Sequence, residues 1–223
     1  MQLASNLCQL HSHFVTTHFS GCLHGIGRIK VDIIEDESEH ENDGKEHRQG
    51  SSPSSVLTRV KEYISQNQLS AEFGDSLWCV IDVDKWPMEQ IEELHSFCCQ
   101  EGNRHLVISN PCIEIWLLYH KLSDLSNLNI KNAHDAKRTL HEIEEGGYYY
   151  IKYLPLMLDA IKNAKAQDTH PDKYMPEMLE TKVYKLGQAL YERIGTVRFN
   201  SFIESLPQLE RDILKDRQKS KIR

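Results

Sequence analysis

Three carboxylates and two small polar side chains stand where phosphoryl chemistry would need them. Asp82 and Asp84 close the run Leu77-Trp78-Cys79-Val80-Ile81-Asp82-Val83-Asp84. Ser109 and Asn110 close a second run, Leu106-Val107-Ile108, and Glu114 follows shortly after. Side chains alternate along a strand, so Asp82 and Asp84 share a face, about 7 Å apart. Two like charges that close repel unless a cation lies between them or one takes up a proton. Magnesium suits such a pair, with waters and a substrate phosphate completing its shell, and manganese accepts the same oxygen donors. Asp after a strand is also a common turn former, so Asp-x-Asp alone does not define a site.

The elements that position these residues are legible as a pattern. Each run is apolar over the length of a strand and stops at polar residues, as strands covered on both faces do in parallel sheets. In such sheets the binding crevice lies beyond the carboxyl ends of the strands, where Asp82, Asp84, Ser109 and Asn110 fall. Asn110-Pro111 predicts a helix start, with Asn as N-cap and Pro at the first helical position. That helix would run to about Lys121. Glu114 is the only charged residue within Cys112–Tyr119, and a carboxylate among apolar residues needs a partner. It comes one residue too late for a capping box.

Around this centre, Ile29–Ile34 alternates like an edge strand, and 35–55 reads as a long mobile loop with a solvated acidic run. Helices are predicted over 56–66, 88–100 (closed by Gly102), 132–143, 155–166, 181–194 (closed by Gly195) and 202–219. The alternation of strands and helices in the first half predicts a parallel α/β sheet with helices on both faces, followed by a helical C-terminal extension. The division expected is an N-terminal arm at 1–27, an α/β core at 28–125 and the helical part at 126–223. His11 and His13 in the arm have no further ligands at convincing spacing.

Composition narrows the class. The net charge of −7 argues against a tight non-specific nucleic-acid binder, although basic residues gather at Arg211–Arg223. No apolar run approaches the length of a bilayer span, and a signal peptide is not evident. A cytoplasmic protein with no membrane association is expected. The six cysteines contain no Cys-x-x-Cys and read as reduced thiols. Tyr148-Tyr149-Tyr150 with Lys152 suits either base stacking or packing of the helical part on the sheet. His141 reads as a structural histidine.

Val80-Ile81-Asp82-Val83-Asp84, a helix, and then Ser109-Asn110-Pro111-Cys112-Ile113-Glu114-Ile115-Trp116-Leu117-Leu118-Tyr119-His120 resemble the RloB-like family in order and spacing. The resemblance continues weakly through Gly147–Lys152 and Ala160–Ala164, covering roughly Ile29 to Leu190. It implies a Toprim-like fold and a magnesium- or manganese-dependent nuclease of bacterial defence or restriction loci, acting on DNA or RNA. An ABC/SMC-like ATPase is the implied partner. Asp82 and Asp84 would be metal ligands, Glu114 a further catalytic carboxylate, and Ser109, Asn110, His120 and Lys152 substrate contacts. One departure stands out: the family's opening Glu-Gly-x-x-Thr-Glu turn has no counterpart, and no acidic residue precedes Asp32. The chain by itself is therefore expected to be a poor nuclease. The alternative is a non-catalytic module that docks on the ATPase. A phosphatase or small-molecule hydrolase on the same sheet is a third class.

Overall fold

The computed structural model describes residues 52–67, 69, 71–83, 86–144 and 150–220. The arm at 1–27, the strand expected at Ile29–Ile34, most of the 35–55 loop, Asp84, Tyr148 and Tyr149 lie outside the described residues. Helix α1, Pro53–Gln66, begins earlier than the periodicity suggests. Ser52 caps it by accepting from the Ser55 amide, and Pro53 occupies the first turn. Cap chemistry there sets the start ahead of the first apolar residue.

Strand β1, Leu77–Asp82, leads to helix α2, Met88–Cys98, and then to strand β2, Arg104–Ser109. The strands pair in parallel, Leu77 opposite Arg104 and Asp82 opposite Ser109. Among the described residues the sheet has these two strands. Alternation along β1 sends Leu77, Cys79 and Ile81 to one face, where they pack with Leu57 and Val60 of α1 and Ile91, Leu94 and Phe97 of α2. Trp78 and Val80 face the other way, against a second core. Both faces are covered, as the unbroken apolar runs imply. Helix α2 closes at Cys99, and Gly102 lies in the turn beyond.

Helix α3, Glu114–Tyr119, is the axis of the second core. Trp116 and Leu118 are fully buried. Around it stand α4, Ala133–Ile143, the short α5, Tyr150–Tyr153, α6, Met157–Gln167, and α7, Val183–Ile194. Asn132 caps α4 through Asp135, as its position predicts. Gly195 closes α7 at φ +80°, a left-handed turn that suits glycine. Helix α8, Thr196–Ser220, begins immediately and is longer than the pattern suggests. Its Phe199 and Leu206 are buried.

The start of α3 corrects the sequence reading. Asn110 is not its N-cap. The Asn110–Pro111 peptide is cis, and the helix begins at Glu114 behind Ile113. The Asn110 groups are taken by a distant segment. Its amide donates to the Glu180 carbonyl (2.9 Å), its carbonyl accepts from Leu179 (2.9 Å), and its side-chain amide donates to the Pro176 carbonyl (3.1 Å). Lys182 donates its amide to the Ile108 carbonyl (2.7 Å), and Ser109 and Thr181 form an antiparallel bridge. The stretch 176–182 thus lies along the side of β2 away from β1.

Candidate functional site

The two strand ends deliver the site. Parallel pairing sets Asp82 beside Ser109, and the Val83 amide closes the pair on the Ser109 carbonyl at 3.0 Å. Asp82 is half-buried. Asn110–Ile113 then turns the chain so that α3 opens with Glu114 facing inward. Glu114 is 4% exposed. Its Oε2 is buried and makes no hydrogen bond among the described residues.

The electrostatics show that these groups are neighbours. Burial pushes the Glu114 carboxyl above its ordinary range, and the negative charge of Asp82 pushes it further. A hydrogen bond from the Cys112 thiol and the positive charge of Lys137, on α4, act in the opposite sense. Cys112 is itself buried, which drives its thiol up, and the charges of Glu114 and Asp82 add to that. Cys112 is therefore a neutral thiol in this setting. Its sulfur lies 3.9 Å from the Ala133 carbonyl, which holds the first turn of α4 against the site.

Asp82, Cys112 and Glu114 thus form one electrostatically linked cluster beyond the end of β1, with Lys137 acting on Glu114 in the opposite sense. Two hard carboxylates of like charge suit magnesium or manganese better than softer metals. A cation beside Glu114 would relieve both its burial and its repulsion from Asp82. Among the described residues no group of three or more His, Cys, Asp or Glu side chains has metal-binding geometry, and Asp84 is outside them.

The other residues singled out by sequence fall into two groups. Ser109 and Asn110 are at the strand end, but their polar groups serve the fold. Ser109 is fully buried, its hydroxyl 2.8 Å from that of Thr181. Asn110 holds the 176–180 stretch. His120 and Lys152 lie elsewhere. Glu114 begins α3 and His120 follows its last residue, so six residues of helix, about 9 Å, separate them. Nδ1 of His120 lies 3.0 Å from the Trp116 carbonyl, an acceptor, so Nδ1 carries the proton. Burial lowers the His120 pKa to about 4, which keeps the ring neutral. Lys152 donates to Glu144 at 2.8 Å, and Lys121 reaches the other Glu144 oxygen at 3.1 Å. The two lysines hold the Glu144 carboxyl below its usual range, with the Lys152 hydrogen bond foremost.

Sequence reasoning missed a buried ion pair. Lys182, 1% exposed, donates to Asp168 Oδ1 and to the His170 carbonyl (2.8 Å). Tyr184 donates to Asp168 Oδ2 at 2.8 Å. Burial alone would raise the Asp168 carboxyl, but the hydrogen bonds from Lys182 and Tyr184 outweigh it and hold it below the carboxylate range. The pair ties the end of the stretch that lines β2 to Asp168, the residue that follows α6.

A family model described as RloB-like protein matches residues 22–190. The chain belongs to the RloB-like family. The match spans both cores, from before β1 through most of α7, and agrees with the extent the motif suggested. It includes Asp82, Glu114 and the Lys182–Asp168 pair. No curated protein and no solved structure matches the chain.

Proposed function

We propose that this RloB-like chain is a magnesium-dependent phosphodiesterase acting on nucleic acid within a bacterial anti-phage or restriction-associated system. The observation that carries the reading is Glu114, buried at the start of α3 and raised in proton affinity by the charge of Asp82 at the end of β1. Asp82, with Asp84 two residues on, would hold the cation from β1, and Glu114 would meet it from α3. Bound magnesium would neutralise charge on the scissile phosphate and lower the pKa of a coordinated water. Burial and the charge of Asp82 raise the proton affinity of Glu114, the direction that suits a general base. The phosphate would lie outside the strand ends, in the crevice usual for parallel sheets. An ABC/SMC-like ATPase is the partner the family resemblance suggests.

The test is cleavage of single-stranded DNA, double-stranded DNA and tRNA by the purified chain with magnesium. Slow cleavage is expected, lost at least a hundredfold in Asp82→Asn and in Glu114→Gln, because groups that act as a unit fail together. Cleavage unchanged in both variants overturns the site. Magnesium binding without cleavage of any of the three substrates favours the docking-module reading.

A further inference from the structure

We propose that Cys79 and Cys98 form a thiol pair that a peroxide converts into a disulfide, tying β1 to α2. Their sulfurs lie 4.0 Å apart, both side chains are buried, and both are free thiols. They come from separate elements whose contact is part of the first core, 19 residues apart in the chain. A disulfide requires the sulfurs to approach from 4.0 Å to about 2 Å. Nothing in the proposed phosphodiester chemistry uses either thiol, so this inference stands apart from that reading.

The two thiols differ in the sense the chemistry needs. The sulfur contact with Cys79 lowers the Cys98 thiol, burial opposes this, and the Arg104 guanidinium adds to the lowering. The same contact and burial raise Cys79 well above the ordinary thiol range. Cys98 is therefore the sulfur that ionises and attacks, and Cys79 the one that resolves. The Cys98 thiolate attacks one peroxide oxygen and the O–O bond breaks. The leaving hydroxide takes a proton to become water, and Cys98 is left as a sulfenic acid. Cys79 then attacks that sulfur, its proton leaves with the sulfenic oxygen as a second water, and the S–S bond forms. Two thiols and one hydrogen peroxide yield one disulfide and two waters. The closed loop contains Asp82, three residues beyond Cys79, so oxidation restrains the strand that ends at Asp82.

The experiment treats the reduced full chain with hydrogen peroxide, alkylates the remaining thiols and digests without reductant before mass spectrometry. The expected product is a Cys79 peptide linked to a Cys98 peptide, two hydrogens lighter than their sum and separated by dithiothreitol. It is also expected in Cys99→Ser, because Cys99 is exposed and lies 3.4 Å from His95 rather than in the pair. The oxidised chain is expected to unfold at higher temperature than the reduced one, since the bond restricts the unfolded chain. Peroxide that oxidises Cys99 while leaving Cys79 and Cys98 alkylatable overturns the proposal. So does a link from Cys79 to Cys99, or a Cys79–Cys98 link found only between two chains.

Discussion

Glu114 sits in surroundings that oppose its ionisation, and that has a measurable sign. Its folded pKa is raised by burial and by Asp82, so the native state holds its proton more tightly than the unfolded chain. Its contribution to stability is full below the unfolded value, about pH 4, and is lost as pH rises through the folded value. Glu114→Gln should therefore be more stable than wild type at pH 7 without metal. The gain should be on the order of 1 kcal/mol, or roughly 2–4 °C in Tm, and should vanish near pH 4. Magnesium should reverse the order. At ten times its Kd it should stabilise wild type by about 1.4 kcal/mol, and stabilise Asp82→Asn and Glu114→Gln far less. Thermal melts across pH with and without magnesium check both statements, and equal magnesium shifts in all three proteins would remove the cation from the pocket. Asp168 has the opposite sign. Its pKa is depressed by Lys182 and Tyr184, so its contribution is present above the unfolded value and lost as pH falls through the folded one. Lys182→Met should cost about 3–5 kcal/mol at pH 7 by leaving a buried carboxylate without its cation. The deficit should shrink below about pH 4.

Among the elements, α3 does two things at once. Its first residue supplies the site carboxylate, while Trp116 and Leu118 are wholly buried in the second core. Gly187 of α7 makes room for this packing: a Cβ there would meet Ile161 at 3.3 Å and Trp116 at 3.5 Å. Trp116→Ala should cost about 3–5 kcal/mol, measured by denaturant unfolding. Because α3 carries Glu114, the same change should also weaken magnesium binding. A variant that loses stability but keeps full magnesium affinity would show that Glu114 is positioned independently of the helix. The strands were legible because continuous apolar runs leave little alternative to a doubly covered sheet. The helix start was not. Capping preference is local and weak, and backbone bonds from residues 176–182 determine the path of Asn110.

At the scale of the molecule, the two-stranded sheet of the described residues lies between two cores, and Asp82 stands where β1 ends. Helix α8 extends past the family match, yet its Phe199 packs in the second core with Ile194. Ending the chain at Gly195 should lower Tm by several degrees, because Phe199 and Leu206 are both buried and each large apolar side chain contributes about 1.5–3 kcal/mol on burial. An unchanged melt would mean that α8 adds no stability. No helix among the described residues is long and apolar enough to cross a membrane.

The sequence by itself determined the two strands, the helices that cover them and the family. These follow from short-range facts: apolar runs of fixed length, side-chain alternation, and a contiguous motif whose spacing survives without coordinates. Tertiary structure alone decided which motif residues act on one another. It brought Glu114 to Asp82, turned the polar groups of Ser109 and Asn110 to the 176–182 stretch, and carried His120 to the far end of α3. It also paired Lys182 with Asp168, 14 residues apart in a polar stretch that shows no periodicity. The physical reason is that burial and charge pairing depend on which segments meet. A lysine or a carboxylate carries no local sign that a partner waits inside the fold.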